Sequence, residues 1–162
     1  MKPVTQELLR KLFDYNPETG ELSRLVTRGS RGPKGAVVGC LNVHGYLVTR
    51  LNGKLYQNQR LIWMWVHGHW PLGVMDHINH VTTDNRLANL RDVPQAINAQ
   101  NRAGPQKDNQ CGYLGVIRRG NSFRARVKLN RKMIYVGTYA TPEEAHAAYV
   151  AKKREVHIGC TM

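Results

Sequence analysis

The sequence predicts an α+β chain of short elements: hairpins and brief helices through most of its length, then a small three-stranded antiparallel sheet packed on one helix at its C-terminal end. Three observations carry this. "SFRARVKL" alternates apolar and basic residues with the period of two that a half-buried strand requires, and short β-prone segments flank it. "TPEEAHAAYVAKKREVHIG" opens with Thr141, Pro142 and Glu144 in the order of a capping box and stops at Gly159, which marks a helix. Asn52-Gly53 stands between two alternating segments, the strongest short hairpin signal a sequence offers.

Taken in chain order, Thr5 caps a short amphipathic helix whose apolar face is Leu8, Leu9, Leu12 and Phe13, and Pro17 and Gly20 end it in a turn. The stretch "RGSRGPKGAVVG" at 28–39 mixes glycine with basic residues and reads equally as a phosphate-touching loop or a plain linker. The Asn52-Gly53 hairpin leads into "RLIWMWVHGHWPLG", where Leu61, Ile62, Trp65 and Val66 form one helical face and Gly68 and Pro71 break the helix; the aromatics belong to the core. Another helix starts near Pro94 and sets Asn98, Asn101 and Arg102 on one side. Polar residues with Gly and Pro then mark a linker, and "YLGVIRR", "SFRARVKL" and "KMIYVGTY" read as three strands. The division is a first domain over 1–101, a linker over 102–111 and a second domain over 112–162.

Charge limits the partners. The 162 residues carry 24 Lys and Arg against 11 Asp and Glu, a net charge of +13, which favours a polyanion and first of all nucleic acid. Residues 55–99 balance acid and base, so the excess sits in two flanks. The longest apolar run, at 61–66, is far too short for a bilayer, and no apolar signal core follows Met1, so a cytoplasmic protein with no membrane partner is expected. Cys40, Cys111 and Cys160 support neither a disulfide framework nor a four-cysteine zinc site.

The neutral centre holds "MDHINHVTTDNRLANLR", dense in imidazole, carboxylate and carboxamide groups. Two oxygen donors and an imidazole suit cation-assisted hydrolysis of a phosphodiester. Mg²⁺ or Mn²⁺ takes few protein oxygens and completes its shell with water and phosphate, a set that Asp76 and Asn98 can supply. A neutral His77 fits the base that takes a proton from water, and Asn89 can fix its tautomer by accepting the other ring N–H. A tetrahedral zinc site from His67, His69, His77 and His80 matches no structural zinc spacing. A regular strand would send Asp76 and His77 to opposite faces, so the strand is expected to break at this dipeptide.

"VMDHINHVTTDNRLANLRDVPQAINAQN", with "DNRLANLR" inside it, resembles the HNH homing endonucleases, whose ββα-metal motif folds two strands and a helix around one divalent ion. The resemblance implies Asp76 and Asn98 as metal ligands, His77 as general base and Asn89 as the residue that orients it. Asn98 stands where the family's final histidine usually is, as in phage and intron-encoded enzymes, which favours Mg²⁺ or Mn²⁺ over zinc. Gln59-Arg60 replaces the His-Arg of many relatives, leaving Arg60 as a DNA contact with altered support. Arg102 is the expected phosphate contact after the motif.

In the C-terminal strands Phe123, Ala125 and Val127 share one face and Arg124, Arg126 and Lys128 the other; Val116, Ile134 and Val136 suit the core, and Arg119, Arg131 and Tyr135 the exposed side. A basic face of that width can enter a DNA major groove. "YLGV" and "VGTYATPEEAHAAY" resemble the plant ethylene-response-factor (AP2-type) DNA-binding domain, which is also found fused to HNH nucleases. Leu114, Ile117, Phe123 and Tyr135 stand where plant relatives carry arginines and tryptophans, so base contacts do not transfer. The expected protein is therefore a divalent-cation-dependent endonuclease on double-stranded DNA, in the bacterial cytoplasm if phage-encoded, as monomer or homodimer. A DNA-binding regulator with an inactive HNH centre is the alternative.

Overall fold

The computed structural model describes residues 3–29, 32–102, 104–105 and 109–161. It forms two compact units, Met1–Pro94 and Gln95–Met162.

The first unit opens with helix α1 (Gln6–Leu12), capped by Thr5, whose hydroxyl accepts from Leu8 N. Strand β1 (Phe13–Asn16) follows at once and pairs antiparallel with β2 (Glu21–Arg24) through the turn at Pro17–Gly20 that the sequence signals. Phe13 therefore belongs to a strand rather than to the helix expected to contain it. The basic loop expected over 28–39 includes Ser30 and Arg31, which lie outside the described residues; its far side returns to β2 as a bridge between Ser23 and Val37.

A second sheet runs β3 (Cys40–Leu41), β4 (Leu47–Leu51), β5 (Lys54–Gln57) in that order. Asn52 and Gly53 join β4 to β5 with φ of 48° and 79°, the left-handed pair that an Asn-Gly hairpin turn requires. Helix α2 (Asn58–His67) follows and ends on Gly68 in the left-handed region, as the breaker predicts. Leu61 and Ile62 are fully buried, Met64 joins them, and Trp65 and Val66 are half-buried against the same core. With Leu9, Phe13, Leu22 and Leu51 these form one apolar cluster, each such side chain contributing about 1.5–3 kcal/mol by leaving water. Gln6 Nε2 donates to Trp65 O and Val66 O at 3.0 and 3.1 Å, tying α1 to the last carbonyls of α2.

The unit closes with an antiparallel hairpin, β6 (Val74–His77) and β7 (Leu90–Val93), whose connecting loop ends in a 3-10 turn, Leu87–Asn89. The register is regular: Asp76 opposes Arg91 and His77 opposes Leu90. No bulge interrupts the Asp76-His77 dipeptide: both residues pair in regular register, the strand ends on His77, and just beyond it Ile78 N donates to Asn89 O at 2.9 Å.

In the second unit α3 (Gln95–Gln100) is shorter than predicted. Asn101 lies in the turn beyond it, its N donating to Asn98 O at 3.0 Å, and the C-terminal tail bonds the side chains there: Gly159 N donates to Gln100 Oε1 and Thr161 Oγ1 donates to Asn101 Oδ1. Asn101 and Arg102 therefore do not extend the helical face of Asn98. The linker expected over 102–111 includes Ala103 and residues 106–108, outside the described set. Strands β8 (Val116–Arg119), β9 (Ser122–Leu129) and β10 (Lys132–Tyr139) form a sheet with β9 central, and α4 (Pro142–Val156) covers one side with the full capping box of Thr141 and Glu144. Val116, Ala125, Val127, Ala145 and Tyr149 are its buried core. Gly115 is required there, since a Cβ would stand 2.0 Å from the Tyr149 ring. Burial pushes the Tyr149 phenol up to about 12 and holds the Lys153 ammonium below its usual value; Lys153 Nζ donates to Arg102 O at 2.7 Å. Cys40, Cys111 and Cys160 are free thiols. Among the described residues no helix is long and apolar enough to cross a membrane.

Candidate functional site

The regular register of β6 and β7 decides what each side chain at the dipeptide meets. Asp76 shares a hairpin face with Arg91, which donates from Nε at 2.8 Å and approaches through its second nitrogen at 2.7 Å, both to Oδ2. The carboxylate is 8% exposed and the guanidinium 24%, so a charge taken out of water faces an opposite charge across the ladder. Asp76 is the one carboxylate among the described residues that is buried. His77 turns to the other face. Its Nε2 lies 3.1 Å from Asn85 Oδ1, and the Tyr46 ring stands 5.9 Å away.

Asn89, expected to orient the imidazole, works on the loop instead. Its Oδ1 accepts from Asn79 N at 2.9 Å and its Nδ2 donates to Asp84 O at 2.8 Å, closing residues 79–84 into a fixed bend. The contact to the ring falls to Asn85, which is 1% exposed. In the sequence Asn85 sits in "TTDN" and reads as an ordinary turn residue; nothing local distinguishes a buried carboxamide from an exposed one. Next to it, Arg86 binds both oxygens of Asp84 and Asn79 Nδ2 adds a third bond, so the guanidinium holds the Asp84 carboxyl well below the usual carboxylate range.

A hard divalent cation that keeps most of its waters needs only one or two protein carboxylates, and this hairpin offers one, Asp76, paired with Arg91. Among the described residues no group of three His, Cys, Asp or Glu side chains could hold a metal ion, and the His67 and His69 rings stand with centroids 6.0 Å apart. Arg60 lies over the Trp70 ring at 5.9 Å, and Trp70 in turn stacks on Tyr56. Asn98 is half-buried on α3 in the second unit, and Arg102 is exposed beyond the end of that helix.

The second unit presents the basic face that the alternation predicts. Arg124, Arg126 and Lys128 project from β9 and are exposed; Ile117 pairs with Arg124, and Tyr135 and Met133 pair with Arg126 and Lys128. Arg124 lies over the Tyr135 ring at 5.4 Å, which fixes a long cation in place. Arg119 ends β8 on the same side, and Ile117, Arg119, Arg124, Arg126, Met133 and Tyr135 line one shallow hollow. Arg131 occupies the β9–β10 turn with φ 66°, beside Asn130 at 48°.

The hairpin, its buried carboxylate and the imidazole beside it fall inside a recognised segment. Residues 56–100 match the model of one family, HNH endonuclease. No curated protein and no solved structure matches the chain. The HNH segment covers α2, β6, the intervening loop, β7 and α3, and so contains Arg60, Asp76, His77, Asn85, Asn89 and Asn98. The N-terminal hairpin and the three-stranded sheet lie outside it.

Proposed function

We propose that the chain is a DNA endonuclease of the homing HNH type that hydrolyses phosphodiester bonds with one divalent cation, Mg²⁺ or Mn²⁺, and binds double-stranded DNA through its second unit. The observation that carries the reading is the HNH match over a hairpin in which His77 is buried, with Nε2 hydrogen-bonded to Asn85, and next in sequence to the buried carboxylate Asp76. Asp76 and Asn98 are the proposed ligands. A bound cation supplies charge neutralisation on the phosphate and on the leaving oxygen.

His77 does the proton work. An imidazole that donates from Nε2 to Asn85 keeps its basic lone pair on Nδ1, the atom that takes the proton from the attacking water. The basic sheet face, Arg119, Arg124, Arg126, Lys128, Arg131 and Tyr135, binds DNA as an AP2-like module over 112–162, with phosphate contacts giving affinity and register. Arg60 and Arg102 are further proposed DNA contacts.

One observation favours the alternative, a DNA-binding regulator with an inactive centre: Asp76 faces Arg91 while His77 faces away from it. The deciding experiment is nicking of supercoiled plasmid with Mg²⁺, Mn²⁺ or EDTA. Cutting that needs the cation supports the nuclease; DNA binding with no cutting under any condition supports the regulator.

A further inference from the structure

We infer that Asn85 is the positioning residue for His77, and that the β1–β2 hairpin, outside the HNH match, holds Asn85 in place; the inference rests on the nuclease reading. A general base in a buried site needs its ring fixed in one tautomer and one plane, because a small misplacement costs rate steeply. Asn85 supplies a neutral acceptor at 3.1 Å from Nε2, so the ring proton sits there against a carboxamide oxygen. The carboxamide itself is positioned by its backbone. Asn85 N donates to Thr83 O at 3.1 Å, and the Tyr15 hydroxyl donates to Asn85 O at 3.2 Å while accepting from Leu87 N at 2.8 Å. One phenol thus ties the Asn85 carbonyl to the Leu87 amide, while Thr83 holds the other side of the residue. Burial raises the Tyr15 pKa, which keeps it a donor.

The rest of the hairpin acts with it. Gly20 lies so close to the loop that a Cβ would stand 2.5 Å from Arg86 N and 2.7 Å from Asn85 C, so its backbone is a wall against which Asn85 rests. The hairpin is anchored in turn on α2: Trp65 Nε1 donates to Phe13 O at 3.0 Å, and the Trp65 ring meets Tyr15 edge-on at 5.8 Å. A continuous path of contacts therefore runs from α2 through Phe13 and Tyr15 to Asn85 and His77. Residues 56–100 alone would lack its middle.

The experiment compares wild type with Asn85→Leu, which keeps the shape and removes the acceptor, Asn85→Asp, which keeps an acceptor, and Tyr15→Phe, which removes one oxygen and leaves the packing. Three quantities are read in the full chain: the ¹⁵N and proton signals of the His77 ring, DNA affinity, and the single-turnover cutting rate with Mg²⁺. The expected result is a slowly exchanging Nε2–H in wild type and Asn85→Asp that is lost in Asn85→Leu and weakened in Tyr15→Phe. The cutting rate should fall about ten- to a hundredfold in Asn85→Leu, less in Tyr15→Phe, with DNA affinity unchanged in both. A wild-type ring protonated on Nδ1, or wild-type cutting by Asn85→Leu and Tyr15→Phe alike, overturns the inference. If no form cuts DNA, the nuclease reading fails separately and the ring spectrum still decides what Asn85 does. Tyr15→Phe keeps the question answerable should Asn85→Leu not fold.

Discussion

Gly20 and Gly53 share almost the same left-handed backbone, φ 78° and 79°, yet an alanine at each should behave very differently. At Gly53 a Cβ meets nothing within 4 Å, so Gly53→Ala costs only the left-handed penalty, about 1 kcal/mol. At Gly20 the same penalty applies, and the Cβ also falls 2.5 Å from Arg86 N and 2.7 Å from Asn85 C. Both are backbone atoms that cannot rotate away, which adds the overpacking cost of about 1–3 kcal/mol. Gly20→Ala should therefore destabilise the chain by about 2–4 kcal/mol in total. Because the atoms it displaces carry Asn85, its cutting rate should drop while Gly53→Ala cuts normally. Urea unfolding with an unchanged m-value gives the stabilities, and plasmid nicking gives the rates. Equal destabilisation of the two variants, or undiminished cutting by Gly20→Ala, would refute the claim that the N-terminal hairpin supports the site.

The basic sheet face predicts a salt effect: replacing Arg124 and Arg126 with alanine should flatten the plot of log affinity against log salt by about 0.9 for each phosphate that is no longer neutralised, and an unchanged slope would remove these residues from the DNA interface. Asp84 predicts a pH effect. Its folded carboxyl titrates below the ordinary aspartate value of about 3.9, so the stability it contributes is full above that value and disappears as pH falls through the folded one. Asp84→Asn should accordingly lie below wild type in unfolding free energy at neutral pH and converge with it in strong acid; parallel curves throughout would mean that the Arg86 and Asn79 bonds add nothing.

What the sequence made legible was whatever depends on neighbours along the chain. The Asn52-Gly53 turn, the Thr141 capping box and the alternation of Phe123 to Lys128 each specify their geometry within a few residues, and each element formed where its pattern stood. The site was legible in part: the resemblance to HNH enzymes implied two strands around Asp76 and His77, but the partner of His77 depends on how a loop folds back. Asn85 comes eight residues after His77, and Tyr15 seventy before Asn85, so no local period links them. The end of α3 was misjudged for the same reason, since the side chains of Gln100 and Asn101 bond Gly159 and Thr161, about sixty residues on. The strand break expected at Asp76-His77 came from assigning both residues to one site before their register was known; the ladder keeps them on opposite faces.

The central claim is that His77 takes the proton in a DNA-cutting reaction, and chemical rescue of His77→Ala tests it most directly. Wild type and variant are compared on the same plasmid with Mg²⁺, with and without added imidazole, and DNA binding is measured alongside. The account predicts that His77→Ala binds DNA as wild type does, loses cutting, and regains a concentration-dependent part of it from free imidazole. Cutting by His77→Ala at the wild-type rate would contradict it.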